Sequence, residues 1–262
     1  MGKITVPTIS RRAFLLTLAG GAFSLQAGCS REDVHQAAAR LIPRETLREM
    51  GLQTWERFRS QFPPSRNTAL QRRLQAIGVR VVRAAKGNPE EWEFAVFRGD
   101  PINAFAVPGG KVGFFEGMFS AAKNDAQIGA VLGHEIGHLN ARHPEERIMA
   151  AFAKQVGIAV VLAALQAGDV NYANEIAGLL GVGLEYGIIR PYSRRQELEA
   201  DRLGVEYLAR SGYPAGEAVA FWTNMMALSR SRPQPPAILS THPSDEKRIE
   251  ALRQVLGEVW KG

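Results

Sequence analysis

Residues 125–138 read Asp-Ala-Gln-Ile-Gly-Ala-Val-Leu-Gly-His-Glu-Ile-Gly-His, so His134, Glu135 and His138 close an apolar run. Ile128, Val131 and Leu132 have helical spacing, and the stretch predicts a buried helix. Histidines four apart lie on one helical face. From that face both imidazoles can reach a single ion at ~2.0–2.1 Å. Glu135, beside the first histidine, can approach a metal-bound water without binding the metal. Two buried histidines next to a carboxylate are costly to desolvate without a partner, and zinc would be that partner. The chain has only five histidines, which gives the pair weight.

A third protein donor would leave a fourth position open for water. His143 is five residues after His138, Ala141 stands between them and Pro144 follows, so the metzincin layout, His-Glu-x-x-His-x-x-Gly-x-x-His, is absent. His143 reads as structural, near the C-terminal end of the helix, where a partly charged imidazole is favoured. The better candidate lies in Arg194-Arg-Gln-Glu-Leu-Glu-Ala-Asp201, where Glu197 and Asp201 share a helical face and Glu199 points away. That pair reads as one ligand, Glu197, and one supporting carboxylate, Asp201, bonded to the far nitrogen of a ligand histidine.

Upstream, Leu41, Leu47, Leu52, Trp55 and Phe58 keep helical spacing until Pro63 and Pro64 break it. A second helix is expected from about Thr68 to Ala84, and a strand over Glu91–Phe97. Residues 103–115 place two apolar runs around Pro108-Gly109-Gly110, a hairpin signal. Asn103–Val107 would offer an edge on which an extended peptide adds as a further strand. From Ser120 on the chain reads as helical. Its apolar run at 156–165 is too short to span a bilayer and suits a buried or pocket-covering helix.

Four ordered motifs carry a family resemblance: Asn103-Ala-Phe with Pro108-Gly-Gly, His134-Glu-x-x-His138 with Arg142-His143, Glu197-x-Glu-Ala-Asp201, and Thr241-His242-Pro243 followed by Arg248-Ile249. Over about residues 70–255 the chain resembles the HtpX-like and BepA-like metallopeptidases, which are related to CAAX prenyl proteases and the mitochondrial Oma peptidase (metallopeptidase family forty-eight). The resemblance implies an α+β, mainly helical, gluzincin-type domain with a small antiparallel sheet or hairpin beside the active-site helix. It implies one zinc ion on His134, His138 and Glu197, Glu135 as general base and Asp201 as the supporting acid. His242 matches a histidine that in some relatives occupies the open zinc position and holds the enzyme latent, and Arg248 matches a basic residue near the same site. The implied activity is endopeptidase cleavage of unfolded or misassembled envelope proteins. The competing expectation is a chaperone-like or binding lipoprotein whose zinc site His242 plugs.

The first residues read as an address. Ser10-Arg-Arg-Ala-Phe-Leu-Leu16 resembles a twin-arginine export signal, and the apolar stretch after it ends at Leu25-Gln-Ala-Gly-Cys29. That ending resembles a lipoprotein cleavage site, although Gln26 stands where Leu is usual. We expect a signal at 1–28, an N-terminal helical segment at 29–65 and the peptidase domain at 66–262. A lipid on Cys29 would tether the chain to a membrane. Ser30, in place of Asp, favours the outer membrane by the same resemblance. Cys29 is the only cysteine, so no intramolecular disulfide forms. Three of the 32 basic side chains (Lys3, Arg11, Arg12) lie in 1–28, which has no acid; the 29 that remain face 26 acids, a net of +3. No long basic run remains, and nucleic acid is not an expected partner.

Overall fold

The computed structural model describes residues 31–156 and 191–259. Helices α1 (Arg31–Ala39), α2 (Arg44–Gln61) and α3 (Thr68–Ala84) come first. Strands β1 (Glu93–Phe97), β2 (Ala104–Val107) and β3 (Lys111–Phe115) follow, then the short α4 (Glu116–Ala121). The rest is helical: α5 (Asp125–Asn140), α6 (His143–Val156), α7 (Arg194–Arg210), α8 (Gly216–Ser231), α9 (Ile238–Thr241) and α10 (Glu246–Val259). The apolar run at 156–165 lies outside the described residues apart from its first member. No helix among the described residues is long and apolar enough to cross a membrane.

The expected second helix occupies Thr68–Ala84, started by Asn67, whose side chain accepts from the backbone N–H groups of Ala69 and Leu70. The hairpin forms as read: β2 and β3 pair antiparallel, with Gly109 (φ 94°) and Gly110 (φ 72°) in the left-handed region of the turn. The strand expected from Glu91 begins at Glu93, because a 3-10 turn capped by Asn88 holds Pro89–Glu91. The sheet is mixed, in the order β1-β3-β2, with β1 parallel to β3. The chain from 98 to 103 carries β2 past β3 to the far edge, and the outer edge of β1 pairs with Pro63–Ser65 (Ser65 N–H to Val96 O, 2.8 Å).

Side chains alternate across the sheet. Phe94, Val96, Ala104, Ala106, Val112 and Phe114 face the main core with α3, α5, α7, α8 and α10. Phe97, Phe105, Val107 and Phe115 face the other way, against Trp55 and Phe58 of α2. Both faces are therefore buried: β2 is apolar throughout, and β1 and β3 are apolar after their charged first residues, Glu93 and Lys111.

The site depends on how α5 crosses α7. Gly133 and Gly137 of α5 meet Ala200 and Gly204 of α7. A Cβ added at Gly137 would lie 2.8 Å from the Ala200 carbonyl oxygen, and one at Gly204 2.9 Å from the His134 nitrogen. Small residues at i, i+4 on both helices let the backbones approach and bring the histidine face of one onto the carboxylate face of the other.

Candidate metal centre

α5 starts at Asn124, whose side chain accepts from Gln127 N–H, and it is buried from Ala126 to His138. α7 starts with a capping box between Ser193 and Gln196. These caps set the phase of the two helices that carry the site. His134, His138, Glu197 and His242 are all buried, and each offers a donor atom within 4.8 Å of the others. His134 Nε2 lies 3.0 Å from His138 Nε2 and 3.1 Å from His242 Nδ1. Glu197 Oε1 is 3.0 Å from His242 Nδ1 and 3.5 Å from His138 Nε2. Three imidazole nitrogens and a carboxylate oxygen, all turned inward and excluded from water, form a donor set fit for a divalent ion.

Each donor is held from behind. His134 Nδ1 is 2.9 Å from Asp201 Oδ1. Arg248 grips Asp201 bidentately (Nε to Oδ2 2.7 Å, Nη2 to Oδ1 2.8 Å), donates to the Pro243 carbonyl and pairs with Glu197 Oε2. Its guanidinium lies 4.0 Å over the Trp222 ring, which meets His134 edge-on. Tyr192 stacks on His138 at 3.8 Å, with Arg147 over its ring. Neither Tyr192 nor Trp222 carries a sequence signal for this position; only the tertiary contact shows it.

His143 corrects the sequence reading. It does not end the motif helix but begins the next one, because Arg142 (φ 63°) breaks α5 from α6. It is fully buried, its Nδ1 is 2.8 Å from His138 Nδ1 and its Nε2 is 3.3 Å from Glu199 Oε2. A helix N-terminus disfavours an imidazolium. Burial, the largest influence, pushes His143 down to about 4.

The electrostatics are lopsided. Burial opposes a charged imidazole at His134, but Asp201 and Glu197 outweigh it and raise the group to about 9. His138 is pushed well below its usual range by burial and by its neighbour His134. Burial would raise Glu197, yet Arg248, His242 and two histidine hydrogen bonds hold it well below the usual carboxylate range. Glu135 is raised, chiefly by burial. Its Oε1 lies 3.2 Å from His242 Nε2, and the Ala106 backbone contributes a hydrogen bond.

A buried His-Glu-x-x-His helix crossed by a second helix that supplies a carboxylate, beside a small sheet, is the architecture of a gluzincin-type metallopeptidase domain. The comparison with known sequences agrees: the profile described as Peptidase family M48 matches residues 68–256, and the chain belongs to that family. It is 34% identical over 180 residues to the mitochondrial metalloendopeptidase OMA1 of Schizosaccharomyces pombe, covering 69% of this chain and 51% of that protein. It is 30% identical over 213 residues to the beta-barrel assembly-enhancing protease of Escherichia coli K12, covering 78% of this chain and 42% of that protein. The chain thus spans about half the length of these curated relatives, or less.

Proposed function

We propose that this chain is a zinc-dependent metalloendopeptidase acting on unfolded or misassembled envelope proteins. The observation that carries it is the convergence of His134 Nε2, His138 Nε2 and Glu197 Oε1 beside the buried carboxyl of Glu135. Donor separations of 3.0–3.5 Å suit a tetrahedral ion, since ligands at ~2.0–2.1 Å stand about 3.3 Å apart. Held by His134, His138 and Glu197, zinc would supply an acidified water and polarise the scissile carbonyl. Glu135 would be placed to take a proton from the attacking water and return it to the leaving amine, and burial, which raises its pKa, favours proton transfer both ways. Asp201 and Arg248 orient His134 and Glu197.

The substrate would add to β2. Phe115 N–H donates to Asn103 O, so Asn103, Phe105 and Val107 turn their backbone groups to β3, and Ala104 and Ala106 turn theirs to the other edge. The Ala106 backbone also hydrogen-bonds Glu135, so a peptide added at this edge would run beside that carboxyl. A second reading has its own observation. His242 Nδ1 takes the fourth donor position and Nε2 faces Glu135, where water and substrate are needed. The Ile238 N–H also bonds Ile102 O, so the segment leading to His242 lies along the start of the same edge. In this reading the resting protein is latent.

The test is zinc content and casein cleavage of the full chain beside Glu135→Gln and His242→Ala. We expect about one zinc per chain, cleavage abolished and zinc kept in Glu135→Gln, and a gain of activity in His242→Ala if the resting state is plugged. No zinc under metal-replete conditions, or full zinc-dependent cleavage by Glu135→Gln, defeats the assignment. Residues 10–29 support export by a twin-arginine-type signal and a periplasmic, outer-membrane tether through lipid on Cys29. Palmitate labelling lost in Cys29→Ser is expected; equal labelling of both chains rejects the anchor.

A further inference from the structure

Four of the five histidines of this chain meet at one place, and the donor set uses only three of them. His143 has no part in the chemistry above, yet no side chain in the site is more completely enclosed, and its contact with His138 is 2.8 Å. Two imidazole nitrogens at that distance share one hydrogen. Which ring carries it follows from the other face of His138. Its Nε2 points at His134 and Glu197, so a metal held there needs the Nε2 lone pair, and the ring hydrogen must be on Nδ1. His143 Nδ1 is then the acceptor, and its own hydrogen is on Nε2, which faces Glu199.

We propose that His143 is a positioning residue for the metal centre: it accepts from His138 Nδ1, directs its Nε2–H at Glu199 and so fixes the ring and tautomer of His138. The inference rests on the metal reading above and adds a residue to it. The relay does not stop at Glu199. Arg195 holds Glu199 through Nη1 at 3.1 Å and pairs through Nη2 with Glu146 of α6, which accepts from Gln196 Nε2 at 2.8 Å. Asp201 supports His134 in a single step; His138 is supported in two, through a second imidazole. A carboxylate behind a ligand histidine raises its basicity and locks its orientation, and His143 transmits that influence from a glutamate too distant to touch His138.

The direct test is the tautomer in the zinc-loaded full chain, read from long-range 1H–15N spectra of 15N-histidine protein. Hydrogen on His138 Nδ1 and on His143 Nε2 is expected; hydrogen on His143 Nδ1 overturns the proposal. Zinc affinity by chelator competition, with cobalt(II) absorption as a signature of donor geometry, gives the second arm. His143→Leu should bind zinc roughly 10–100-fold more weakly, with a changed cobalt spectrum. His143→Asn keeps an acceptor oxygen near the Nδ1 position and should stay within a few-fold of wild type. Equal affinity in the Leu variant, or equal loss in both, overturns the proposal. A wild-type chain that binds no zinc defeats the metal reading itself, whereas one that binds zinc with the opposite tautomer defeats only the role of His143.

Discussion

His134 shows how the site balances protons against metal. Two carboxylates reach it, Asp201 directly and Glu197 at 3.5 Å, and they hold a proton on the metal-free ring up to about 9. A metal needs that ring unprotonated on its donor nitrogen, so proton and ion compete. Below about 9 the proton is bound in the metal-free protein, and each pH unit lower weakens apparent zinc affinity by about tenfold through this group. Affinity should therefore rise steadily between pH 7 and 9 and flatten above. Removing the charge of the raising partner in Asp201→Asn should move the flattening point toward the ordinary histidine value near ~6.5. Isothermal titration across pH in the two proteins measures this. An unchanged profile in Asp201→Asn would place the competing proton elsewhere.

At the scale of elements, the site is as good as the crossing of α5 and α7. Gly204 has backbone, not a flexible side chain, at 2.9 Å from where a Cβ would sit, and that backbone is His134 itself. Gly204→Val must push the helices apart, so it should lower zinc affinity as well as stability. Gly51 is a control of the same kind elsewhere. A Cβ there would fall 1.9 Å from the Pro108 carbonyl oxygen, where α2 lies on the hairpin turn. Gly51→Ala should cost stability by roughly 1–3 kcal/mol, as overpacking does, and leave zinc affinity essentially unchanged. Zinc affinity unaltered in Gly204→Val would mean that the donors do not depend on this crossing. Much of this was legible in the sequence. Periodicity marks α3 and α5, Pro108-Gly109-Gly110 marks the hairpin, and spacing alone pairs His134 with His138 and Glu197 with Asp201. The strand order was not legible, because nothing local tells β1 to pair with β3 in parallel. Nor was the place of His143, since a single residue in the left-handed region, Arg142, decides whether it ends one helix or begins the next.

For the whole molecule, the question is what α2 is to the domain below it. The sequence suggests a boundary near residue 65, before the stretch that the family profile matches from residue 68. Packing suggests instead that the sheet needs α2, because Phe97, Phe105, Val107 and Phe115 have their second face covered by Trp55 and Phe58. Trp55 is fully buried and meets Phe97 edge-on at 5.7 Å and Phe105 at 6.1 Å. Its indole N–H finds no partner among the described residues, so what it contributes is apolar volume and ring contact, not a hydrogen bond. Two substitutions separate these terms. Trp55→Ala empties the space and should cost ~3–5 kcal/mol in urea unfolding of the zinc-loaded chain. Trp55→Phe keeps most of the aromatic packing and removes an unsatisfied donor, and should cost less than about 1.5 kcal/mol. If both cost little, α2 is an appendage and the boundary near residue 65 stands as a domain boundary. If the alanine variant falls as expected, α2 is part of the core of the peptidase domain and the boundary lies before it.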